Sequence, residues 1–291
     1  MGRILLLVVL LSAPAQAQRG KAAFDEGMRL MRANKPAQAE AQFERAIAAD
    51  ERNGLYHLWL GNAVGQQAPN ASTVRQPFMA RRIKAEYERA VALDPELLDA
   101  REGLINFYMF APGFMGGDPA KAREQQRAIA VRNAYRGHLA AATIATFSRD
   151  TVGTERALRA AIAAAPDSVR PIITLSQRQA SWGRVPAAFA TLDDALKRRP
   201  TDIALRYQVG RLAATTGQQL ARGEQLLRQL LTEPEWPVEG MLLPSRATVH
   251  YRLGGVLERA GKKPDARTQY ERAVALDPQL KPAKDALEAL R

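Results

Sequence analysis

The nine residues YERAVALDP stand at 87–95 and again at 270–278. Identity over so many positions points to an internal repeat before any other reading. Around the second copy the chain runs ATVHYRLGGVLERAGKKPDARTQYERAVALDPQL, residues 247–280. Leu253, Gly254 and Leu257 share one face of a first helix, which Gly261 ends. Ala266, Tyr270 and Ala273 face back from a second helix closed by Asp277-Pro278. This spacing predicts two antiparallel helices. Small residues at Gly254, Ala266 and Ala273 permit close approach, and Tyr270 fills the gap against the next pair.

The same frame extends backward through the chain. It fits 203–236 with Val209-Gly210, Gly217 and Leu227, 169–202 with Leu175, Ala188 and Leu192, and 135–168 with Ala142, Leu158 and Ala161. Pro166, Pro200 and Pro234 hold a common register. Gly27, Leu30, Ala39, Phe43 and Ala46 place a further copy at 20–53. Two copies carry extra residues between their helices: a polar insertion near 66–75, between YHLWLGNAVG and KAEYERAVALDP, and APGFMGG at 111–117, after LDAREGLINFYMF. Both fall between a first and a second helix and are predicted to project from the same edge. PVEGMLLPSR, 237–246, reads as an irregular linker, and KPAKDALEALR, 281–291, as a capping helix.

This pattern resembles the tetratricopeptide repeat, with L-G in the first helix and A-x3-Y-x2-A and a Pro in the second. The resemblance implies an all-α fold, a right-handed α-α superhelix of about seven helix pairs plus a C-terminal capping helix. Residues 56–130 are also similar to a group of exported bacterial tetratricopeptide proteins, a likeness that brings no activity with it. In the family the first helices face the ligand at set positions. Transferred residue by residue, these imply a partner-binding groove with Asn62, Asn106, Arg170, Tyr207, Arg211 and Tyr251. Asn62 and Asn106 occupy places where peptide-binding members grip a peptide backbone. The family's carboxylate clamp is not reproduced, because Leu58 and Glu102 stand where it needs Lys.

The chain opens MGRILLLVVLLSAPAQAQ, with Arg3, an apolar run from Ile4 to Leu11 and Ala15-Gln16-Ala17. These are the parts of a cleavable signal peptide, residues 1–17, preceding a repeat domain at 18–291. The apolar run is far shorter than the ~20 residues that span a bilayer. There is no cysteine, hence neither a disulfide nor a lipoprotein anchor, and a periplasmic or secreted location is expected.

No chemistry-bearing motif of the zinc-protease, serine-hydrolase or P-loop type occurs. His57, His138 and His250 each take the same place in a first helix and are read as packing residues. APGFMGG lacks the lysine and preceding strand of a phosphate loop and is read as a tight helix connection. No enzymatic activity, cofactor, metal or small-molecule substrate is expected. The formal net charge of +12 favours anionic partners, yet export and the lack of a basic cluster interleaved with aromatics argue against nucleic acid. The sequence thus points to an exported, non-enzymatic scaffold holding a protein or peptide in its groove, in envelope assembly; the alternative is a basic module on an anionic envelope polymer or membrane surface.

Overall fold

The computed structural model describes residues 7–234 and 243–290, which are helical with no strand among them. In chain order the helices form seven pairs: α1 (Leu7–Arg32) and α2 (Pro36–Ala49), α3 (Gly54–Gln67) and α4 (Gln76–Leu93), α5 (Leu98–Phe110) and α6 (Pro119–Arg132), α7 (Ala134–Phe147) and α8 (Thr151–Ala164), α9 (Val169–Ser181) and α10 (Val185–Arg198), α11 (Ile203–Thr216) and α12 (Leu220–Leu231), and α13 (Arg246–Arg259) and α14 (Lys263–Leu276). A final helix, α15 (Lys281–Ala289), packs on α14 and buries Ala283, as a cap should. The all-α helical-repeat architecture read from the spacing is the one the chain forms.

Local signals set the helix ends. Asn53, Asp118, Asn133, Asp202 and Ser245 each accept a bond from a backbone N–H in the first turn that follows. Such caps satisfy donors that the helix itself cannot. Proline stands in the first turn of α2, α4, α6, α10, α14 and α15, where its missing N–H costs nothing. Between first and second helices, each repeat without an insertion has a left-handed residue, Asn34, Arg149, Gly183, Gly217 or Gly261, and the repeat with Gly217 adds a second at Gln219. The first five occupy the same place in the frame. The two repeats with insertions use short 3-10 helices instead, Ala68–Asn70 and Gly113–Met115.

The chain divides into two compact units, 1–157 and 158–291, with the division inside α8. The first has a core of Phe43, Leu58, Leu104, Ile105 and Ile129, with Tyr87 and Phe107 beside them. In the second, Leu175, Phe189, Leu192, Leu205, Leu227 and Tyr270 are almost wholly buried. The glycines predicted to allow close approach do so. A Cβ on Gly254 would lie 2.4 Å from the Tyr270 ring, and one on Gly27 would lie 2.5 Å from Phe43. Tyr87 is flanked by two glycines, since a Cβ would come within 2.8 Å of its ring from Gly61 and 2.9 Å from Gly103.

Residues 1–6 of the expected signal peptide, and 237–242 of the expected linker, lie outside the described residues. Helix α1 passes through position 17 without a break. The linker's last residue, Arg246, already belongs to α13, because Ser245 caps that helix by accepting from Thr248 N.

His57 and His250 sit in polar pairings. His57 is 8% exposed, with Nδ1 2.7 Å from Glu86 Oε2 and Nε2 3.1 Å from the Glu51 carbonyl oxygen. The bond to Glu86 raises its pKa above the ordinary value against the opposing effect of burial. The stability His57 adds is therefore fully present below the unfolded histidine value, about 6.5, and is lost as pH rises through the higher folded value. In urea unfolding, the native chain should exceed His57→Gln by more at about pH 6 than at about pH 8.5; a gap that does not change with pH would show the pair to be uncharged throughout. His250 has the opposite tendency, its pKa lowered by burial despite a 2.8 Å contact with Gln269 Oε1.

Candidate functional site

In the first unit the two insertions face each other across a cleft of about 670 Å³. Ala68 and Pro69 of the first insertion form one rim, and Ala111, Pro112 and Met115 of the second form the other. Its walls come from Ile83 and Tyr87 on α4 and from Asn106, Phe107 and Phe110 on α5. The second insertion is held tightly. Asp118 N donates to the Tyr108 carbonyl at 2.9 Å, and Gly117 passes so near Ala111 that a Cβ would lie 1.8 Å from its carbonyl oxygen. Gly116 takes φ 100°, a conformation that glycine adopts without strain. These features make APGFMGG a tight helix connection, as its sequence suggested.

The cleft is mostly apolar with a few polar groups, the usual character of a binding pocket. Tyr87 donates its hydroxyl to Asn62 Oδ1 at 2.8 Å, and burial pushes its pKa up to about 12, so it stays a donor at neutral pH. Asn106 is exposed and lines the cleft directly. Phe110, one of the lining residues, is 78% exposed, and Phe114, between the lining residues Pro112 and Met115 in the chain, is 84% exposed. The structure thus brings Asn62 and Asn106 to one place. Asn62 is already engaged there, which leaves Asn106 as the open amide.

The other four groove residues lie in the second unit. Arg170 is exposed on α9. Tyr207, expected to face solvent, is instead only 7% exposed. The cause is that α9, α10, α12 and α13 all pack against α11, so most of its circumference is covered. Arg252 Nε donates to the Tyr207 hydroxyl at 3.5 Å, and its guanidinium lies 4.9 Å above the ring of Tyr251. Arg211 Nε donates to Gln208 Oε1 at 2.8 Å. Burial, with the like charge of Arg252 adding to it, lowers the pKa of Arg211 from its ordinary value.

Reading the first helices by repeat position missed Phe110, Met115 and Arg252. Phe110 at the end of α5 and Phe114 in the insertion that follows, two exposed aromatics close in sequence, were the available signal for the first two. Among the described residues no group of three or more His, Asp or Glu side chains is placed to hold a metal ion.

Helix pairs, register and close glycine contacts define a helical-repeat protein of the α-α class. The chain carries tetratricopeptide repeats in both units: family models described as Tetratricopeptide repeat match residues 24–67 and 247–280. Among solved structures it is similar to a tetratricopeptide repeat protein from Parabacteroides merdae, at 15% identity and a TM-score of 0.53. That alignment covers 94% of this chain and 99% of the other. It is also similar to yeast Tom70, at 11% identity and a TM-score of 0.61, where 96% of this chain matches and spans 56% of that one. At such identities the likeness is one of fold. No curated protein matches the chain.

Proposed function

We propose that the chain is an exported, non-enzymatic scaffold that holds a protein or peptide partner, with the cleft of the first unit taking an apolar side chain of that partner. The observation that carries this reading is the exposure of Phe110 in the lining of an apolar cleft built by both insertions, with the exposed Phe114 carried by the second of them. Large apolar side chains left in water beside a concave apolar surface are characteristic of interaction sites. Repeat stacking supplies a rigid frame for them. Export rests on the opening eighteen residues, whose charged start, apolar run and Ala-Gln-Ala site match a signal peptide. The role fits envelope assembly, where such scaffolds hold other exported proteins together.

The test is crosslinking in the producing cell, followed by fractionation and recovery of the tagged chain. The native chain should be recovered outside the cytoplasm, shortened at its N-terminus and joined to a discrete protein partner. Phe110→Ala should lower that recovery about fivefold without altering thermal melting, because an anchor contact of this kind contributes about 1 to 2 kcal/mol. Full-length chain confined to the cytoplasm would refute export. Undiminished crosslinking of Phe110→Ala would remove the cleft from the partner's footprint.

A further inference from the structure

The second unit distributes its charges unevenly. Its first helices α9, α11 and α13 carry seven arginines and a single carboxylate, Glu258. The second helices α10, α12 and α14 carry five carboxylates. Glu258 is itself engaged, accepting from the Tyr270 hydroxyl at 2.7 Å. On the second helices the charges neutralise one another locally, as in Arg228 with Glu224 and Arg267 with Glu271. On the first helices, Arg206 pairs with Glu233 at 2.8 Å.

Arg211 and Arg252 are arranged differently. Among the described residues neither has a carboxylate partner; Arg211 bonds to the amide of Gln208, and Arg252 to the hydroxyl of Tyr207 while lying over Tyr251. They stand on α11 and α13, which pack directly against each other, and the charge of Arg252 reaches Arg211. Two neighbouring guanidiniums, one of them well desolvated, carry an unfavourable repulsion that a shared anion would relieve. The planar fork of each suits the two oxygens of a carboxylate. Beside them Gln177, exposed on α9, donates from Nε2 to the buried Gln208 Oε1 at 3.4 Å, which leaves the Gln177 amide oxygen within reach of whatever occupies the face. Amides of this kind meet the donors and acceptors of a peptide backbone.

We propose that the α9, α11 and α13 face binds an acidic peptide segment, with an Asp or Glu side-chain carboxylate seated between Arg211 and Arg252 and the Gln177 amide meeting the peptide backbone. The proposal rests on the scaffold reading and gives the partner a chemistry: acidic side chains at this face, besides the apolar anchor at the cleft. It does not need a free C-terminus.

The test is fluorescence anisotropy of the full chain with a fluorescein-labelled, C-terminally amidated peptide of alternating Glu and Leu, and with its Gln counterpart. The Glu peptide should bind at least about tenfold more tightly, and Arg211→Gln and Arg252→Gln should each lose about tenfold, the effect of one charge-assisted pair. Arg267→Gln, on a second helix, should change binding less than about twofold. Equal losses from all three variants would reduce the effect to net charge and overturn the site, as would equal affinity for the two peptides. Inorganic polyphosphate or phosphatidylglycerol vesicles that bind more tightly than the peptide, with the same dependence on Arg211 and Arg252, would assign the face to another anion and overturn the peptide reading. If either Gln variant melts early, Arg211→Lys and Arg252→Lys take its place: a folded variant with weakened binding supports the fork geometry, and unchanged binding refutes it. A partner still crosslinked in cells after both arginines are replaced would sink this site and leave the scaffold reading standing.

Discussion

Replacing Tyr87 by Ala is expected to destabilise the first unit by about 3 to 5 kcal/mol, the range for removing a large buried aromatic. Tyr87 is 8% exposed and its ring lies between Gly61 and Gly103, neither of which has a side chain to move into the space. The cavity therefore cannot collapse without shifting α3 or α5 as a whole, which places the cost toward the upper end. Tyr87→Phe keeps the ring and loses only the hydroxyl bond to Asn62, at about 1 kcal/mol. Urea unfolding of the two variants, with amide exchange read in α3, α4 and α5, separates ring from hydroxyl. A loss in Tyr87→Ala no larger than in Tyr87→Phe would show that the two glycines do not hold the ring.

The second large effect is overpacking. Gly254→Leu should cost about 3 kcal/mol in the second unit, although leucine is the better helix former by nearly 1 kcal/mol. The Tyr270 ring stands 2.4 Å from where even a Cβ would be, and its hydroxyl is tied to Glu258 at 2.7 Å, so the ring cannot simply rotate away. Accelerated amide exchange in α13 and α14, together with a lowered unfolding midpoint, is the expected readout. Native-like melting of Gly254→Leu would mean that α13 and α14 approach each other less closely than the structure has them.

Most of the fold was legible because its determinants are local and periodic. Gly254 facing Tyr270 within one repeat, proline in the first turn of the second helices, and a left-handed residue at one place in five repeats are all signals that recur along the chain. The cleft was legible only in part. Its rims lie on two separate insertions, and nothing in repeat spacing says how far Pro69 stands from Met115 once α3, α4 and α5 are packed. Tyr207 shows a different limit. Repeat position assigned it to solvent, but helices packed around α11 cover it, and coverage depends on neighbours that a position within one repeat does not encode. Arg252 went unnoticed for a related reason: its importance comes from the arginine on α11 and from the lack, among the described residues, of a carboxylate partner for either.

The flanking of Tyr87 bears on how such a chain is cut and rejoined. Tyr87 leans on a glycine from the helix before its own and on another from the helix after it. Tyr270, in the second copy of the same nonapeptide, leans on Gly254; the helix that follows has no glycine and offers Ala286 at the equivalent spacing. Identical words in the sequence are thus not interchangeable parts. A block ending with the second copy can be grafted onto a foreign array with its own cap and keep its tyrosine seated. A block ending with the first copy must take α5 along, so a recombination point between α4 and α5 severs one tyrosine's seat, whereas a point ahead of α3 leaves the pairing of Tyr87 whole.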